Sequence, residues 1–204
     1  IENTGNIGIE FNLSLKGDIL KFVKLEENNF KLFSKETKKI ELKFSALEDI
    51  MPGLYIGKLL VQSGNLEKEI LISISVSSAE TLFDVEIEIP ALYQKIKPGD
   101  KLSANIEVFN LGEEIDAIFE YEIGDFEGNL ILSEIENKKI DEKLNYVKEI
   151  YIPKNISYGT YLFYVKVIYE DKIAGASAHF EVVEYKVFNV ILFISIIILI
   201  LIIL

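Results

Sequence analysis

The chain has no cysteine, no tryptophan and no arginine, and among its 204 residues there is one histidine and one methionine. Without cysteine there can be no disulfide, no thiol nucleophile and no cysteine-ligated metal. With His179 as the one histidine, multi-histidine metal sites are excluded and little remains for a Ser/His/Asp arrangement. All 21 basic residues are lysine, set against 33 acidic ones, for a formal net charge of −12. Recognition of phosphate and base edges leans on arginine and a basic face, so nucleic acid is not an expected partner. No enzyme activity and no cofactor are expected from such a set.

Apolar residues are plentiful. Half of the chain is hydrophobic and 26% is charged, enough to bury one large core or two ordinary ones. The longest apolar run lies at the end, "VFNVILFISIIILILIIL" over residues 187–204, without a charge. As a helix it would span about 27 Å at 1.5 Å per residue, close to the hydrocarbon thickness of a bilayer, and the run predicts a C-terminal transmembrane helix.

Before that run the apolar residues alternate. In "FDVEIEI", Phe83, Val85, Ile87 and Ile89 share one face and Asp84, Glu86 and Glu88 the other, as on a half-buried strand. The same period orders Leu102, Ala104, Ile106 and Val108, then Ile115, Ala117, Phe119, Tyr121 and Ile123. Turn chemistry separates these runs, with Pro98-Gly99 suited to a type II turn and Asn, Asp and Gly at "FNLGEE" and "DFEGNL". Short strands at this spacing predict an all-β chain of antiparallel sandwiches.

Self-comparison shows a repeat at an offset of 106 residues. "PGLYIGKLLVQSGN" lies over "YGTYLFYVKVIYED", setting Gly53 on Gly159, Tyr55 on Tyr161 and Val61 on Val167. Near the start the offset drifts by a residue, and Asn3-Thr4-Gly5 falls on Asn110-Leu111-Gly112. The second copy carries two strand patterns before this Asn-x-Gly corner, while the first carries only Ile1 and Glu2. Two readings stay open: a fragment that starts inside its first module, or an incomplete sandwich that accepts a strand from another chain. The expected organisation is a first module over 1–77, a short linker over 78–81, a second module over 82–185, and the helix over 187–204.

"NTGN" followed by "PGLYIGKLLVQSGNLEKEILISISV" resembles the immunoglobulin-like modules associated with the NPCBM domain of α-galactosidases, and "KIKPGDKLSANIEVFNLGEE" resembles the CARDB module of bacterial and archaeal surface proteins. The resemblance implies two tandem immunoglobulin-like sandwiches, used as spacers or adhesive units and often membrane-anchored; it brings no catalytic residues. With it come the expectations that residues 1–186 are extracytoplasmic, that the bilayer is a partner through the C-terminal helix, and that surface proteins or glycans are further partners.

Candidate sites are few. Asp125, Glu127 and Asn129 have the one-three-five oxygen spacing of a calcium loop, and Glu136 falls at the twelfth position, but Leu130 stands at the sixth, where an EF-hand has glycine, so a hairpin turn is the competing reading. Asp84, Glu86 and Glu88 form a solvated strand face rather than a tuned carboxylate pair. Asn12 and Asn155 head Asn-x-Ser triplets and are candidate glycosylation acceptors. Leu162, Tyr164 and Ile168 give the strand from Tyr161 an apolar second face, to be covered by the neighbouring module or by a partner. The favoured functional expectation is a membrane-anchored, non-catalytic cell-surface stalk with a structural or adhesive role. The alternative is the membrane-proximal end of a larger surface enzyme or binding protein.

Overall fold

The structure is a computed structural model and describes residues 1–45 and 50–184. Among the described residues there are fourteen strands: β1 (Ile9–Gly17), β2 (Val23–Leu25), β3 (Asn29–Leu32), β4 (Leu42–Phe44), β5 (Gly53–Ser63), β6 (Leu66–Val76), β7 (Phe83–Glu88), β8 (Lys95–Ile96), β9 (Lys101–Asn110), β10 (Ile115–Asp125), β11 (Leu130–Ile140), β12 (Lys143–Tyr151), β13 (Gly159–Tyr169) and β14 (Lys172–Val182). β1 to β6 form a first unit, a four-stranded sheet ordered β3-β1-β5-β6 beside a two-stranded ribbon, β2-β4. β7 to β14 form a second unit, in which a five-stranded sheet ordered β11-β10-β13-β14-β8 lies over the three-stranded β12-β9-β7.

Period two explains the second unit. Leu102, Ala104, Ile106 and Val108 of β9, Ala117, Phe119, Tyr121 and Ile123 of β10, and Tyr161, Phe163, Val165 and Val167 of β13 are all buried and belong to one continuous core. Each of the larger aliphatic and phenylalanine side chains withdrawn from water favours the fold by about 1.5–3 kcal/mol before entropy is counted. The Pro98-Gly99 corner turns on Gly99 at φ 85°, with the Asp100 amide donating to the Lys97 carbonyl at 3.0 Å. Among the described residues the first unit shows two clusters rather than one continuous core, one around Phe11, Leu13, Phe30, Leu32 and Leu59 and one around Ile19, Phe22 and Val23.

The repeat offset has a physical counterpart. Asn3 and Asn110 are both buried, and in each the side-chain oxygen accepts from the amide two residues on, Gly5 at 3.0 Å and Gly112 at 2.9 Å. The Tyr55 hydroxyl donates to the Met51 carbonyl at 2.7 Å, and that of Tyr161 to Ser157 at 2.9 Å. The tyrosine corners therefore close the same way 106 residues apart, and the asparagine corners 107 residues apart.

Two expectations are corrected. The architecture is not a pair of tandem immunoglobulin-like antiparallel sandwiches: the sheets are open, among the described residues the first unit's second layer is the β2-β4 ribbon, and β8 joins β14 in parallel. The second correction concerns the membrane helix. Among the described residues no helix is long and apolar enough to cross a membrane, and helical backbone is limited to two single 3-10 turns, Asp18–Lys21 and Ala91–Tyr93. The physical reason is the periodicity itself, since a strand's alternation leaves no stripe at 3.6 residues for a long helix to bury. The transmembrane helix expected over 187–204 lies outside the described residues. The readings that depended on it, a membrane-anchored cell-surface stalk, a membrane-proximal fragment of a surface enzyme, an extracytoplasmic 1–186 and the lipid bilayer as a partner, are therefore set aside, together with the surface proteins or glycans expected alongside them.

Candidate functional site

The two units meet on their outward strand faces. Along β6 the odd positions Ser73 and Ser75 turn away from the first unit's interior; along β14 Gly175, Ser177 and His179 turn away from the second's. The Ser75 hydroxyl donates to the Gly175 carbonyl at 2.6 Å, the Ser177 hydroxyl to Ser73 Oγ at 3.2 Å, and Ser73 Oγ lies 3.0 Å from His179 Nε2. β6 and β14 thus cross in opposite directions, and the small side chains allow the close approach. The connection between the units is held as well: the Ser78 amide donates to the Ile173 carbonyl at 2.8 Å, and the Ile173 amide to Ser78 Oγ at 2.9 Å.

At one end of this junction lies a cleft of about 700 Å³. Its first wall is Lys58 of β5 with Glu69 and Leu71 of β6, its second the Asp125–Glu127 turn with Leu130 and Ile131, and its third the β12–β13 connection from Pro153 to Tyr161. Lys58 bridges the walls, with Nζ 2.7 Å from Glu127 and 3.1 Å from Glu69. Glu127 first and Glu69 second hold the Lys58 ammonium above its ordinary range. The Tyr158 ring stands 60% exposed at the rim, and the Phe126 ring meets His179 edge-on at 5.2 Å between centroids.

Asp125, Glu127 and Asn129 do come together in one turn, but they do not converge on a common point. Asp125 Oδ1 accepts from the amides of Glu127 at 3.0 Å and Asn129 at 2.8 Å, and Oδ2 from the Asn129 side-chain amide at 2.8 Å. Burial raises the Asp125 pKa, yet the Asn129 side chain and the turn's backbone N–H groups outweigh that and leave it below the usual carboxylate range. Glu127 turns instead to Lys58. Among the described residues no group of three acidic or histidine side chains is placed to hold a metal ion. Asn155 is exposed on the cleft's third wall, and Asn12 is exposed in mid-strand on β1, opposite Gln62. The apolar face of β13 is taken up by the chain itself: Leu162 and Tyr164 are buried and Ile168 is half-buried. Leu162 shares a small cleft with Leu54 and Ile56 of β5, and the Tyr164 ring lies across Gly175, where a Cβ would meet its hydroxyl at 2.6 Å. That hydroxyl is buried and among the described residues finds no hydrogen-bond partner.

A second polar cluster was missed by sequence reasoning. On the open side of the second unit, between the edge strands β11 and β12, Lys148 is 8% exposed, with Nζ 2.6 Å from Glu136 and 2.8 Å from Glu134. Lys138 reaches Glu136 at 2.8 Å, the Tyr121 hydroxyl lies 3.2 Å from Glu136, and the Tyr121 and Tyr146 hydroxyls are 2.8 Å apart. Lys148 Nζ stands 4.3 Å from the centre of the Tyr121 ring and Lys138 Nζ 4.5 Å from that of Tyr146. Lys138 and Lys148 hold the Glu136 carboxyl at about 2, while burial pushes both tyrosines up. The available signal was the same-face row Glu134, Glu136, Lys138, which alternation assigns to one side of β11 whichever side that is.

No protein-family model matches the chain, and no curated protein matches it.

Proposed function

We propose that this chain is a non-catalytic binding module that takes an extended cationic ligand, such as a lysine-bearing peptide, in the cleft where its two units meet. The observation that carries the reading is the cleft itself: a space of about 700 Å³ at the junction of two sheets, lined by Glu69, Asp125 and Glu127 with Lys58 as the cation between them. The exposed Tyr158 ring at its rim offers a face on which an ammonium can rest. A net charge of −12 draws cations toward the surface and speeds encounter. The non-catalytic part is supported by the state of the carboxylates. Asp125 is held below the usual range by its own turn, so it is not poised to hand over a proton near neutrality, and the Glu127 carboxylate is engaged by Lys58.

Calorimetric titration of the full chain with pentalysine, with pentaglutamate as control, tests this. Binding of pentalysine alone is expected, weakening about tenfold in Glu127→Gln and Tyr158→Ala and fading with added salt. The distant acidic face of β7 provides the contrast: if Glu86→Gln weakens binding as much as Glu127→Gln does, the attraction belongs to the whole surface and the cleft reading fails.

A further inference from the structure

β11 is eleven residues long and, among the described residues, is paired on one side only, with β10, while β12 is likewise the outer strand of its sheet. These two outer strands, one from each sheet, therefore frame an open side on which each backbone is unpaired among the described residues, the geometry that invites pairing with another chain. Their solvent face does little to discourage this. Ile135 is 66% exposed on β11, and Val147 and Tyr151 are 58% and 72% exposed on β12. Charge is also self-complementary along β11. In a twofold antiparallel pairing centred on Asn137, Glu136 of one copy stands opposite Lys138 of the other, twice over.

We propose that β11 is a latent pairing edge for a second copy of this chain, and that the inward-drawn charges around Lys148 keep it shut. Lys148 reaches across from β12 and binds Glu134 and Glu136 from inside, so the acidic groups needed for the intermolecular pairs are already committed. Lys138 is committed to Glu136 in the same way. The cluster also ties β11 to β12 through Tyr121 and Tyr146, which fixes the edge strand in the twist of its own sheets rather than leaving it flat for a partner. Charges placed on the inner side of an edge strand are costly unless paired, and here they are paired only as long as the strand stays where it is.

The absence of cysteine makes a site-specific test clean. Asn137→Cys puts one thiol at the proposed twofold axis, and Lys31→Cys on β3 puts one on the other unit as a control. Glu134→Gln with Lys148→Gln removes two opposite charges together, so neither is left buried without its partner; Lys148→Met serves as a second, independent way to open the cluster. Folding of each variant is checked by circular dichroism. With oxidised glutathione supplied as the two-electron oxidant and the cluster intact, disulfide-linked dimer through the thiol introduced at position 137 is expected to form slowly. With it opened in either way, the rate is expected to rise about tenfold at position 137 and to stay unchanged at position 31. An unchanged rate at 137 in a folded variant, or an equal rise at both positions, would overturn the proposal.

Discussion

Four strands stand in the same order in both units, β3-β1-β5-β6 in the first and β11-β10-β13-β14 in the second, and the ladders match residue for residue. Leu13 faces Val61 as Phe119 faces Val167, and Leu15 faces Leu59 as Tyr121 faces Val165. One step further the units part. The second places Ile123 opposite Phe163, two buried side chains, where the first places Gly17 opposite Gly57. The gap is filled from outside the ladder, by Ile19 of the 3-10 turn, which is fully buried; a Cβ on Gly57 would collide with its side chain and with the Lys16 carbonyl. One unit fills its core from a second sheet and the other from a turn folded over a pair of glycines. The same backbone ladder therefore does not dictate how its face is covered; the side-chain volume left out of the ladder does.

The comparison can be broken at three points. Phe119→Ala should cost about 3–5 kcal/mol in urea denaturation and its counterpart Leu13→Ala less, about 2–3 kcal/mol, because the smaller cluster around Leu13 leaves a smaller void and collapses more readily. A larger loss at Leu13 than at Phe119 would contradict the contrast between a continuous core and two clusters. Gly57→Ala should cost about 1–3 kcal/mol by overpacking, and the effect should be non-additive with Ile19→Ala, since the two share one space; simple additivity would mean that Ile19 is not what the glycine pair accommodates. The smallest effect is at the hairpin tips. Gly64 at φ 58° ends the β5–β6 hairpin, and Glu170 at φ 52° stands at the same place in β13–β14. Glu170→Gly should stabilise by about 0.5–1 kcal/mol by relieving a left-handed glutamate, and a destabilised variant would show that the side chain contributes more than the backbone strain takes away.

Strand positions and corners were legible because they depend on local rules. Alternation located β7, β9 and β10, and the Asn-x-Gly and tyrosine corners follow from residues only a few places apart. What lay beyond reach was decided between elements. Leu162 and Tyr164 read as a face covered by the neighbouring module or by a partner, and which residues of the chain bury them, where β6 crosses β14, lies between elements far apart in sequence. The Asp125 turn carried the spacing of a calcium loop but read more naturally as a hairpin turn; that its oxygens accept from its own N–H groups is a matter of angle rather than of sequence interval. The cluster at Lys148 joins β10, β11 and β12 across two sheets, and no one-dimensional period reports that distance.

The buried asparagine corners carry a chemical consequence. The Asn3 side-chain nitrogen donates to the carbonyls of Ile7, Leu32 and Phe33, and that of Asn110 to those of Glu113 and Ile140. Hydrolysis of either amide to the acid would exchange that nitrogen for an oxygen in a ring of oxygens, turning attraction into repulsion without altering the shape of the side chain. An Asn3→Asp or Asn110→Asp exchange would therefore unlatch a loop from inside, so the closure of each unit rests on the nitrogen of a single amide group.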